Sequence, residues 1–155
     1  MRCSAYTDNN GGIMDDSVKL IRSCETGVKM AIIGINSALH YVTSPKLMDI
    51  MENFRDRHRE IYGEMSELLR KLNGEDKDVS AMLKAMNRLT TRMRIAVRSE
   101  NADIAQTMMN SCDKGIRKIA DNMIKYKNAD PTVKDMAKKL VSLEQEYKSN
   151  LRLCV

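Results

Sequence analysis

The sequence predicts an all-α protein, a four-helix bundle made of two pseudo-symmetric helical hairpins joined by a helical crossover. Three observations carry this reading. One Phe, no Trp and two Pro stand against thirteen Met and many Leu, Ile, Ala, Lys and Glu, a composition that suits helices better than sheets. Apolar residues step by three and four through long segments, which gathers them on one helical face. The heptapeptide SCETGVK at Ser23–Lys29 also returns as SCDKGIR at Ser111–Arg117, so the two halves of the chain are built alike. At 155 residues the chain has room for one domain with a proper core but not for two comfortable ones.

Residues 1–14 are polar, contain a Gly pair and show no period, which predicts a flexible N-terminal arm ahead of a bundle over 15–155. The first helix, about 16–43, carries Val18, Ile21, Glu25, Val28, Ile32, Ile35, Leu39 and Val42 on one face. Ser44 caps the second helix and Pro45 sits in its first turn, where a missing amide hydrogen is harmless. That helix places Leu47, Met51, Phe54, His58, Ile61, Met65, Leu68 and Leu72 on a seam and stops at Asn73-Gly74. So short a link makes the first two helices an antiparallel hairpin.

Met82, Met86, Leu89, Met93 and Ala96 mark a further amphipathic segment, long enough to carry the chain from one end of the bundle to the other. Met108, Cys112, Ile116, Ile119, Met123 and Tyr126 then define a helix ending near Asn128. Asp130-Pro131 repeats the cap and proline of Ser44-Pro45 and opens the last helix, with Val133, Met136, Leu140, Leu143, Tyr147 and Leu151 on its apolar face.

The formal charge of +5 comes from 26 basic and 21 acidic side chains, mostly interspersed, which allows an acidic partner without demanding one. Cys3, Cys24, Cys112 and Cys154 have neither zinc-site spacing nor the density of a secreted disulfide scaffold, so a reducing cytoplasm is the expected location. The opening MRCSAYTDNNGGIM lacks the apolar run of a signal peptide or anchor, and the longest such run, Met30–Ile35, is far short of a membrane span. No Gly-rich phosphate loop or Ser-His-Asp arrangement occurs, and His40 and His58 are the only histidines available to acid–base chemistry.

In these patterns the chain resembles a small bacterial ferritin-like domain of unknown function. The likeness covers about 17–153 and rests on LIRSCETGVKMAIIGI, SPKLMDIMENFRDRHREIYGEM, MMNSCDKGIRKIADNMIKY and DPTVKDMAKKL. In the ferritin-like superfamily it implies parallel second and third bundle helices. It also implies a carboxylate on the first and third, and Glu-x-x-His on the second and fourth, around a di-iron or di-manganese centre. Glu25 and Asp113 would take the first two places. The rest departs from the pattern: Arg55 stands three residues before His58, and Glu60 and Glu146 are followed three residues on by Gly63 and Ser149. Counted from the turn near Ser44, Glu25 and His58 also differ by five helical residues, about 7.5 Å in level. A degenerate, metal-free bundle is the expectation.

The individual features agree with that expectation. Glu25, a carboxylate on an apolar seam, must be neutralised, paired or metal-bound, and a buried pair that fixes helix register is the simpler account. His58 reads as a hydrogen-bonded core histidine, Cys24 and Cys112 as small buried hydrophobes, and the seam methionines as packing rather than copper ligands. Lys84, Arg88, Arg92, Arg94 and Arg98 form a basic stretch with no acid between Val79 and Ser99, read as a solvated face. Without interleaved aromatics or a helix-turn-helix, nucleic acid is not the expected partner. The predicted function is non-catalytic, through self-association as a homo-oligomer or through a protein partner, with no cofactor. The alternative is a carboxylate-bound Fe or Mn protein of oxidase or peroxide-handling type, using Glu25, His58, Asp113 and either Glu144 or Glu146.

Overall fold

The computed structural model describes residues 9–72 and 100–155. Among them are four α-helices and no strand: α1 (Asn9–Leu39), α2 (Pro45–Lys71), α3 (Asn101–Lys125) and α4 (Pro131–Leu151), with a single 3-10 turn at Arg152–Cys154. The expected crossover helix and its basic residues Lys84, Arg88, Arg92, Arg94 and Arg98 lie outside the described residues.

Both predicted caps form. The Ser44 hydroxyl accepts from the Leu47 amide at 3.3 Å and the Asp130 carboxylate from the Thr132 amide at 2.8 Å, with Pro45 and Pro131 in the turns that follow. α1 starts at Asn9, inside the segment expected to be an arm. Gly11 to Asp15 are all exposed, so no apolar period announces this part of the helix. The helix ends at Leu39 rather than near 43, and Val42 is buried from the connecting turn instead.

α1 packs on α2, α3 and α4, and α4 likewise on the other three, so these two helices form the close diagonal of the bundle. Leu20, Ile21, Val28 and Ile35 of α1 meet Leu47, Met51 and Met65 of α2, Ile104 of α3 and Val133, Leu140 and Leu151 of α4 in one continuous core. The buried stripes drift from the expected ones. Leu69 is buried where Leu68 was expected, and Ala137 where Met136 was expected. In α2, three heptads beyond Leu47, a lag of about 20° per heptad against a strict three-four alternation moves the inward position along by one; in α4 the stripe is in step again at Leu140, and Ala137 shares the face of Val133 and Leu140.

Each inter-helix turn is held by polar side chains from the other helix pair. Asn101, the first residue of α3, accepts from the amides of Thr43 and Ser44 at 2.9 and 3.1 Å and donates to the Thr43 hydroxyl at 2.8 Å. At the other end, Asp16 and Ser17 of α1 accept from the amides of Asn128 and Asp130 at 3.0 and 2.8 Å. α3 therefore begins beside the start of α2, and the two run parallel. These turn amides have no helical partner, and the side chains satisfy them.

The caps give a direct stability test. Asp130→Ala should lower the urea unfolding free energy by about 1 kcal/mol, as should Ser44→Ala. A change indistinguishable from zero for both would remove the caps from the account of where α2 and α4 begin.

Candidate functional site

α4 lies on the diagonal, so residues on its inner face reach the middle of the bundle. Glu144 and Tyr147, one turn apart, are both buried there. His58 of α2, fully buried, faces them: its Nε2 stands 2.8 Å from a Glu144 oxygen and its Nδ1 stands 2.6 Å from the Phe54 carbonyl oxygen. A carbonyl can only accept, so Nδ1 carries a hydrogen and Nε2 is left to face Glu144. One proton is shared across that contact, whether drawn as imidazolium and carboxylate or as imidazole and carboxylic acid. Either way the pair adds no net charge to the core.

The Tyr147 ring stacks on Phe54 with centroids 4.8 Å apart and meets the His58 ring edge-on at 6.0 Å, which fixes the imidazole in place. On the α3 side, Cys112 lies beside Glu144: burial, then the charge and close approach of Glu144, push its thiol far up. Burial alone pushes the Cys24 thiol up to about 12. The Tyr147 phenol is raised well above its ordinary value, first by burial and then by the charges of Cys112 and Glu144. These groups form a string, His58, Glu144, Cys112, rather than a converging set.

The other predicted residues sit elsewhere. Glu25, buried on α1, accepts from the Ser66 hydroxyl at 2.7 Å. Ser66 lies eight residues, about 12 Å of helix, beyond His58 on α2, so Glu25 and His58 work at different levels. Asp113 pairs with Lys148 at 2.6 Å in a half-buried bridge. Glu146 is exposed and takes two bonds from the Arg57 guanidinium, each 2.7 Å, which hold its carboxyl below the usual range. Beside it Lys139 bridges to Glu64 at 2.6 Å, so the α2–α4 flank is a charged seam. Glu60 points outward, as its heptad position predicts. Among the described residues no three His, Cys, Asp or Glu side chains gather where they could hold a metal ion.

The periodic reading of the sequence flagged Glu25 because it interrupts an apolar series, but it gave no such signal for Glu144. Leu143 already fills the expected step, and only the wider stripe through Leu140, Glu144 and Tyr147 shows that the acid faces inward. Nothing in the pattern singled out Ser66.

Along the outer side of this string runs a cleft of about 280 Å³ lined by α1, α3 and α4, among them Gly27, Ala31, Gly34, Cys112, Gly115 and Tyr147. Among the described residues the Tyr147 hydroxyl has no hydrogen-bond partner, although the side chain is buried. Cys24, Cys112 and Cys154 are free thiols.

Two measurements test this geometry. Removing one member of the His58–Glu144 contact strands the other in the core, so Glu144→Leu should cost about 3–5 kcal/mol. The double variant His58→Phe with Glu144→Leu should cost less than the two single changes added together. Additive losses would show that the two side chains are not coupled. Between 9.0 and about 12 the native chain keeps the Cys24 proton that the unfolded chain releases, so stability should fall as the pH rises through that window. Cys24→Ala should make the fall shallower, with Cys112 still contributing to it; an unchanged slope would show that this thiol is not the buried, protonated group described.

None of the curated proteins and none of the solved structures matches the chain. A family model does match it over residues 17–125, from the start of the packed part of α1 to the last residue of α3, and the chain belongs to that family, described as Domain of unknown function (DUF2383).

Proposed function

We propose that the chain is a ferritin-like bundle whose dinuclear ligand positions have been taken over by bonds within the protein. It acts without catalysis in the cytoplasm, by contact with another protein or with a second copy of itself. The observation that carries the reading is the fate of the five predicted ligands. Glu25 is bonded by Ser66, Glu144 by His58, Asp113 by Lys148 and Glu146 by Arg57. A lysine or guanidinium against a carboxylate competes directly with a cation for the same lone pairs.

The ferritin-like arrangement is supported by the parallel course of α2 and α3 and by the matched cap and proline that open α2 and α4. It is supported as well by the reciprocal way each turn is tied to the opposite pair. For the interaction itself, Ile124 at the end of α3 is 76% exposed, and Ile13 and Met14 are exposed at the start of α1. The Asp16–Asn128 and Ser17–Asp130 bonds hold these two helix ends together, so the three apolar side chains share one end of the bundle. The competing reading, an iron- or manganese-bound oxidase, has in its favour the close approach of His58 to Glu144.

Protein purified without chelator separates the two readings. We expect metal well below one ion per chain, together with an apparent mass that rises with concentration and falls back in Ile124→Asp. About two iron or manganese ions per chain, lost in Glu25→Ala and Asp113→Ala, would replace this proposal with the metal-protein reading. A chain that stays monomeric at all concentrations and retains no partner would remove its interaction half.

A further inference from the structure

The cleft of about 280 Å³ between α1, α3 and α4 is walled mainly by carbon. On the α1 side it is bounded by Gly27, Met30 and Ala31, and α1 carries no acid from Thr26 to its end at Leu39. Gly115 faces the cleft from α3. Packing requires neither glycine, since a Cβ built at Gly27 or Gly115 meets no atom within 4 Å, so the missing side chains leave space rather than avoid a clash. The Tyr147 hydroxyl is enclosed by protein, so that residue also offers the cleft carbon and not a donor. The volume is at the small end of ligand pockets, which run about 300–1,000 Å³, and suits a guest with a short hydrocarbon body.

The charges around the cleft do not cancel. Glu144 is buried and shares one proton with His58 across 2.8 Å, and Asp113 is bridged by Lys148 at 2.6 Å, so both acids are already met by protein. Lys114, in contrast, lines the cleft, is exposed and makes no ion pair among the described residues. Lys118, one turn further along α3, is likewise exposed and makes none. Ser111, three residues before Lys114, also lines the cleft, but its hydroxyl donates to the Thr107 carbonyl at 3.1 Å. Among the described residues of the lining, the Lys114 ammonium is therefore the accessible donor still free, and the surplus charge at this rim is positive. Its flexible four-carbon stem lets it reach the polar end of a guest while the stem itself covers apolar surface.

We propose that this cleft binds a small amphipathic anion, a medium-chain carboxylate, whose hydrocarbon lies against Gly27, Met30, Ala31 and Gly115 and whose carboxylate meets the Lys114 ammonium at the rim. The site lies midway along the bundle, apart from the apolar end invoked for protein contact, and does not depend on that contact.

Equilibrium dialysis of the full chain against decanoate and decanol at neutral pH tests the proposal, because the two probes share a hydrocarbon chain and differ in charge at one end. One decanoate should bind per chain, about fivefold tighter than decanol at low ionic strength, a margin set by the modest worth of an exposed ion pair. That margin should close as salt is raised to about 1 M, where the screening length is about 3 Å. Lys114→Gln should bring decanoate down to the affinity of decanol and leave decanol binding in place. Lys138→Gln, which removes an exposed charge of α4 that does not line the cleft, should leave the margin unchanged. The double variant Gly27→Leu with Gly115→Leu should abolish both affinities without lowering Tm, because each leucine fills open space and replaces a poor helix former. The proposal is overturned if neither probe binds, if decanol binds the native chain as tightly as decanoate at low salt, if the preference survives Lys114→Gln or falls as far in Lys138→Gln, or if the double leucine variant still binds.

Discussion

A carboxylate inside a helical bundle must be met by a donor, and where that donor comes from decides what the bundle can do. In this chain the donors are protein side chains from facing helices. Ser66 reaches Glu25, His58 reaches Glu144, and Lys148 reaches Asp113 along the α3–α4 contact. The first two acids are buried, so their partners offset the desolvation that would otherwise drive them out of the core. Because each partner stands on a different helix from its acid, the bonds also fix the register of α1 on α2, α2 on α4 and α3 on α4. The Asn122 amide, donating to the Ser23 hydroxyl, adds the corresponding tie between α3 and α1.

The ends of the bundle obey the same logic. Four of the described bonds at the turns run from a backbone amide to a side chain of the opposite helix pair, so neither turn can shift without unpairing amides at a distance. The middle is treated differently. Glycine at 27 and 115 leaves α1 and α3 without side chains on the wall of their cleft, and among the described residues the buried Tyr147 hydroxyl has no hydrogen-bond partner.

Helix type, both caps, both prolines and most of the buried stripe were legible in the sequence, because each rests on a local rule. The start of α1 was not, since Gly11 to Asp15 are exposed and the adjacent Ile13 and Met14 make no apolar period. The shift from Leu68 to Leu69 follows from helical drift that a fixed alternation ignores, while a small residue such as Ala137 is easily passed over beside a bulky Met. Among the predicted ligands, sequence alone placed Glu25 inside and gave the difference in level between it and His58. The partners were beyond its reach. That Arg57 turns to Glu146 while the adjacent His58 turns to Glu144 depends on how α2 faces α4, and this is set by packing rather than by residue type. The open side of the cleft was hidden for the same reason, since a glycine reads as a weak spot in a helix until its neighbours are known.

The central claim is that both ring nitrogens of His58 are committed within the protein, Nε2 to Glu144 and Nδ1 to the Phe54 carbonyl, and not to a cation. Nitrogen-15 NMR of the imidazole, recorded as manganese(II) is added, tests it most directly. The account predicts a ring hydrogen on Nδ1 held by the Phe54 carbonyl and His58 signals that keep their width at equimolar manganese. Selective broadening of the His58 nitrogens, with the rest of the core unaffected, would place the ion at that side chain and contradict the account.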